Sequence, residues 1–102
     1  MPKGYWIVRG EIKDPEEYKK YVAANAMPLA RYGARFLVRG ASPERREGEA
    51  RPRNVVVEFP SIQAARACYD DVSYREAAAL REGVADLDFI IIEGYDGPQP
   101  GA

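Results

Sequence analysis

Arg53-Asn54-Val55-Val56-Val57-Glu58-Phe59-Pro60-Ser61 is the stretch on which the fold turns. The β-branched run at its centre favours a strand over Arg53 to Phe59. Pro60 cannot extend that strand, and Ser61 is a helix N-cap. Ile62, Ala65 and Tyr69 then recur at helical spacing with Arg66 between them, so a strand passes directly into an amphipathic helix.

Toward the N-terminus, Ala34 to Gly40 reads as a strand. It is joined to the first by Ala41–Pro52, a connection whose Glu44, Arg45, Arg46, Glu47, Glu49 and Arg51 cannot all be buried. That makes a long, solvated hairpin loop. Further back, Tyr5 to Ile12 alternates as a strand does. Asp14 caps a helix with Pro15 at its first position, and Glu16 and Glu17 complement the helix dipole. Tyr18, Tyr21, Val22 and Ala26 carry this helix to about Ala26, where Pro28 interrupts it. A second short turn then ends at Gly33 in a left-handed cap.

Toward the C-terminus, Ser73 and Glu76 have capping-box spacing and restart the second helix, which Gly83 closes. Leu87 to Gly94, with Phe89, Ile90, Ile91 and Ile92, is the last strand. The order is βαββαβ, an α+β ferredoxin-like arrangement: a four-stranded antiparallel sheet with its helices on one face. A single domain spans 1–95, and 96–102 is a flexible Gly/Pro tail.

Alternation sorts the strands into two faces. Trp6, Val8, Ile12, Phe36, Val38, Val55, Val57, Phe59, Ile90 and Ile92 are assigned to the helices. The other set mixes Tyr5, Ile7, Leu37, Val56, Phe89 and Ile91 with Arg9, Glu11, Arg39, Glu58 and Glu93. Six large apolar residues are more than a monomer leaves exposed on one patch. Burying about 1,000 Å2 of such surface contributes on the order of 25 kcal/mol, above the roughly 4–15 kcal/mol cost of association. A homodimer packed sheet on sheet is therefore expected.

Composition narrows the partners. A net charge of −1, with 15 basic and 16 acidic residues interspersed, offers no field for a phosphate backbone, so no nucleic acid is expected. There is no run of apolar residues long enough to span a membrane. The single Cys68 cannot form an internal disulfide and reads as a small hydrophobe in a reducing, cytoplasmic setting. The absence of histidine excludes catalytic triads built on imidazole and imidazole metal ligands. Glu16 with Glu17, and Asp70 with Asp71, are adjacent and diverge on a helix, so no metal site and no cofactor are expected.

Phe36-Leu37-Val38-Arg39-Gly40, Val55-Val56-Val57-Glu58-Phe59-Pro60-Ser61 and Ala64-Ala65-Arg66, with Tyr69 and Tyr74 around the helix break, together resemble the DUF1330 family of the dimeric α/β-barrel superfamily. The resemblance runs from about Tyr5 to Tyr95. It departs at Cys68, where the family usually has an aromatic residue, and at Val72, near which it often has proline. The resemblance implies a barrel-like dimer, each subunit keeping a cleft between sheet and helices. It also implies a small acid or aromatic substrate, since the superfamily holds cofactor-independent monooxygenases, muconolactone isomerases and haem-handling enzymes. A non-catalytic small-molecule binding protein, or a purely structural dimer, is the alternative.

Four residues are candidates for a site. Arg39 and Glu58 lie on adjoining strands in the same alternation set, which makes them either a cross-strand ion pair or the two halves of a site. In the second case Arg39 grips a substrate carboxylate through its planar fork and Glu58 is the general base. Arg9 and Glu93 are a second such pair, with a stronger structural reading. Tyr69 and Tyr74 flank the helix break, where their hydroxyls either donate to a bound oxyanion or sit at the rim of the core.

Overall fold

The computed structural model describes residues 2–101. Its elements are β1 (Gly4–Ile12), α1 (Pro15–Arg31), β2 (Arg35–Arg39), β3 (Arg53–Phe59), α2 (Ile62–Asp70), α3 (Val72–Ala79) and β4 (Ala85–Glu93). They form one antiparallel sheet in the order β2-β3-β1-β4, with the helices on one side: the ferredoxin-like arrangement that the element order predicts.

Three local expectations change. Pro28 does not interrupt α1, which runs unbroken to Arg31. One backbone hydrogen bond is lost there, but the Pro28 ring is buried and its carbonyl accepts from the Cys68 thiol at 3.7 Å. The second helix restarts earlier than the Ser73 capping box suggests. Asp71 is the N-cap of α3, accepting from Ser73 N at 2.8 Å and Ser73 Oγ at 2.6 Å, because a fixed negative charge suits a helix start better than a hydroxyl. Tyr32 Oη also donates to Asp71 at 2.6 Å, tying the end of α1 to the helix break.

The third correction concerns β4. In the register, Trp6 faces Ile91 and Val8 faces Phe89, so Phe89 and Ile91 lie under the helices while Ile90 and Ile92 point away, each about half exposed. The run of four bulky residues carries no alternation from which to read its phase. On β2 the register slips by one residue between Phe36 and Val38. Phe36 stays opposite Val57 under the helices, Val38 lies opposite Val56 on the open face, and Arg39, opposite Val55, returns to the helix side.

The core centres on Trp6, whose indole Nε1 donates to the Ala65 carbonyl at 2.9 Å. Its ring packs against Phe59, Tyr74 and Phe89 at centroid distances of 4.9, 4.9 and 5.0 Å. The start of α2 lies so close on β1 that a Cβ at Gly4 would fall 2.5 Å from Ile62 Cα, so glycine there sets how tightly the helix seats. In contrast, α1 packs chiefly on α3. Its aromatic residues hold it off the sheet, and a gap remains between α1 and β2/β3.

Candidate functional site

That gap is a cleft. Trp6, Val8, Val55, Val57 and Phe89 supply its floor from the sheet, and Tyr18, Tyr21, Val22, Asn25 and Leu29 supply its wall from α1. Phe36, Arg39 and Arg53 complete it on the β2/β3 side. With its open mouth it spans about 410 Å3. Its enclosed part exceeds the roughly 10–15 Å3 that one water needs and is small beside the about 150 Å3 that takes a benzene ring, so a ring or short chain held there extends into the open mouth.

Each cationic side chain reaches the cleft for a local reason. Arg53 has the same phase as Val55 and Val57 and so projects on the helix side. Its guanidinium passes over Gly40, where a Cβ would lie 2.5 Å from Nη1 and where the positive φ of 80° also favours glycine. Beyond Gly40 it sits 5.3 Å from the Tyr18 ring centroid. The slip at Leu37 brings Arg39 to the same side, stacked 4.0 Å over Phe36. Arg81, behind the wall, lies 5.2 Å from the Tyr21 ring and 5.8 Å from the Phe89 ring.

Among the described residues no carboxylate lines the cleft, and none lies within ion-pair distance of Arg39, Arg53 or Arg81. Arg53 Nε and Arg81 Nε are buried without hydrogen-bond partners. Tyr18 and Tyr74 remain phenols. Burial raises Tyr18, with Tyr21 adding to the effect and Arg53 opposing it. Burial also pushes Tyr74 far above the ordinary phenol range, reinforced by Tyr21 and opposed by Arg81.

The sequence candidates are distributed differently from expectation. Arg39 lines the cleft but does not meet Glu58, which lies on the opposite face of the sheet. There Glu58 stands opposite Tyr5 and Arg35 in the register and accepts from Tyr5 Oη at 3.1 Å. The expected Arg39–Glu58 pairing fails for two reasons: the antiparallel register sets Glu58 opposite Arg35, at the far end of β2 from Arg39, and the bulge reverses the phase of β2 after Phe36. Arg9 and Glu93 do not pair either, since Arg9 lies opposite Asp88 and Glu93 opposite Gly4.

Tyr74 is fully buried, its hydroxyl 2.7 Å from that of Tyr21 and accepting from Arg81 Nη2 at 3.5 Å. Tyr69 is half-buried against Trp6 and Phe89, with the Arg75 guanidinium 5.0 Å from its ring. Neither tyrosine lines the cleft. Sequence reasoning missed Arg53, Tyr18, Tyr21, Asn25 and Arg81 as site residues. Extending the Val55/Val57/Phe59 alternation back to Arg53, and the helical stripe forward from Tyr18 through Tyr21 and Asn25 to Leu29, finds four of them. Nothing local in the sequence marks Arg81.

A metal centre has no obvious seat, for among the described residues no group of three or more Cys, Asp or Glu side chains is placed to hold an ion. Cys68 is an unpromising nucleophile: burial foremost, and Asp71 with it, push its thiol up to about 12. No helix among the described residues is long and apolar enough to cross a membrane.

Residues 3–95 match the family described as Domain of unknown function (DUF1330). The chain belongs to the DUF1330 family. A comparison with curated protein sequences finds no match. Solved structures share the DUF1330 chain's fold at low identity. A protein of unknown function from Rhodopseudomonas palustris superposes with a TM-score of 0.74 at 20% identity, over 94% of this chain and 85% of that one. SnoaB, a cofactor-independent oxygenase from Streptomyces nogalater, gives 0.62 at 14% identity, over 98% and 99%. A dimeric ferredoxin-like protein of unknown function from Thermobifida fusca gives 0.59 at 18% identity, over 90% and 91%. At such identities the likeness is one of fold.

Proposed function

We propose that this DUF1330 protein works as a homodimer on a small acid or aromatic compound held between α1 and the sheet, as a cofactor-independent enzyme of the isomerase, lyase or monooxygenase kind. The observation that carries this reading is the cleft: an aromatic and aliphatic enclosure with two arginines at one side and no carboxylate to neutralise them. Arg53 Nε is buried there without a partner, and a guanidinium so placed is costly unless an anion joins it, whereas Arg39 is exposed and adds a solvated cation. The fold shared with a cofactor-independent oxygenase agrees with this chemistry.

A second reading, non-catalytic binding in the same cleft, has its own support. The cleft lining contains phenols, guanidiniums and an amide but no ordinary general base. Glu58, on the other face, belongs in this scheme to the subunit interface with Tyr5 rather than to the cleft. The homodimer itself rests on the open face, where Leu37, Val38, Ile90 and Ile92 are 40–51% exposed and a second copy would cover them. The fold shared with a dimeric ferredoxin-like protein is consistent with that assembly.

Mass spectrometry of small molecules released from purified protein, repeated on Arg39→Gln with Arg53→Gln, tests the cleft. The expected outcome is an acidic or aromatic metabolite present in the parent and lost in the double variant. A metabolite retained equally by both would place the working site elsewhere, and turnover of the identified compound would separate enzyme from binder.

A further inference from the structure

Tyr21 lines the cleft, and the direction of its hydroxyl proton is set by the groups behind it. Tyr74 is fully buried, and the polar groups recorded at its hydroxyl are Tyr21 Oη at 2.7 Å and Arg81 Nη2 at 3.5 Å. A guanidinium can only donate. If Tyr74 is to keep its own proton hydrogen-bonded, it must donate to the oxygen of Tyr21. Tyr21 then accepts from Tyr74, and its proton is left for the cleft that it lines. The chain of donation runs Arg81 to Tyr74 to Tyr21, starting at a positive charge, and each member polarises the next.

At the β3 side of the same cleft stands Arg53, a second donor with its Nε buried and unpartnered. Between the two lies the apolar floor of Trp6, Val8 and Val57.

We infer that the cleft is a receptor for a small oxyanion, a carboxylate or phenolate on a single ring or short chain, held by the Tyr21 hydroxyl and the Arg53 guanidinium. Tyr74 and Arg81 are positioning residues that turn the Tyr21 proton toward it. This deepens the reading of the cleft as the working site and rests on it. It also divides the labour: the protein stabilises negative charge on oxygen and does not itself remove a proton there. A compound that must be deprotonated by the protein is a poor fit, and one already acidic, or acidified by binding, is a good one.

4-Nitrophenol and its neutral analogue nitrobenzene are the probes, followed through quenching of the fluorescence of the single tryptophan, Trp6, in the cleft floor. The expected result is that both bind. The phenolate should bind at least about tenfold more tightly than the neutral phenol, so that the absorbance titration of bound 4-nitrophenol moves down by about one pH unit. Tyr21→Phe and Arg53→Gln should each remove much of that displacement while leaving nitrobenzene binding unchanged. Arg81→Lys, still a pure donor, should retain it. Arg81→Gln, which offers Tyr74 another acceptor, should reduce it.

Thermal melts identify any variant that does not fold, and Arg53→Gln at the cleft side carries the test if Tyr21→Phe is lost. Binding of both probes with an unmoved or upward titration overturns the inference and leaves the cleft reading intact. Full displacement in folded Tyr21→Phe overturns the role of Tyr21. If neither probe quenches Trp6 at millimolar concentration, the inference and the cleft reading fall together.

Discussion

The two faces of the one sheet meet the same problem, charged residues among bulky apolar ones, and settle it differently. On the open face, part of the charge is paired. Arg51 bridges Asp86 at 3.2 Å and Asp88 at 2.9 Å, and Tyr5 donates to Glu58. The uncovered remainder is apolar and half exposed. On the helix face, Arg39, Arg53 and Arg81 have aromatic rings for neighbours and no carboxylate. A face whose charges are partly matched and whose apolar surface is bare suits another protein surface. A face whose apolar residues are covered but whose cations are unmatched suits a small anion.

The sharpest way to separate the faces is to remove a large side chain from each. Trp6→Ala on the helix side deletes a fully buried ring and the donor to Ala65, and should cost about 3–5 kcal/mol, measured by chemical denaturation. Ile90→Asp combined with Ile92→Asp on the open side should leave the isolated fold nearly intact but abolish the proposed dimer. Light scattering should then report a mass near 11.4 kDa. If the unaltered chain already has that mass at high concentration, the contrast between the faces loses its functional half.

Tyr74→Phe addresses the interior of the helix face alone. It removes one hydroxyl, leaving Arg81 Nη2 without its acceptor, and should cost about 1–3 kcal/mol. A neutral result would mean that water or a side-chain shift replaces Tyr74 and that the donation chain does not order the wall.

Acid sensitivity gives a smaller effect. Hydrogen bonds from Ser73 and then from Tyr32 hold Asp71 down, from 3.8 to about 2. A carboxylate lowered in the folded state adds stability that is fully present above its unfolded pKa and is lost as pH falls through the folded one. The loss should therefore develop between about pH 4 and pH 2, and Asp71→Asn should flatten the melting temperature across that window. The smallest effect is expected from truncation after Tyr95. The segment from Asp96 is exposed apart from Gly97, and its one recorded side-chain bond is Tyr95 Oη to the Pro98 carbonyl at 2.8 Å, so the melt should move by no more than a few degrees. A large drop would show that the tail covers one of the faces. Ala102, also in that tail, lies outside the described residues.

Much of the architecture was legible locally. The Val55–Val57 run, the Ser61 and Asp14 caps and the alternation of β1 state element type and order directly, because strand and helix periods and capping chemistry act over a few residues. From those the ferredoxin-like arrangement follows. The sequence also located Arg39 as a binding candidate, and the alternation that includes Arg53 was there to be extended. What only the tertiary structure decided is which side of the sheet a residue occupies when local pattern is absent or broken. Phe89 to Ile92 is apolar throughout, so its phase comes from pairing with β1. Arg39 and Glu58 share an alternation set, yet one extra residue at Leu37 sends them to opposite faces. The bond between Tyr21 and Tyr74 joins residues 53 positions apart. Packing and register are long-range constraints, and no window of neighbouring residues contains them.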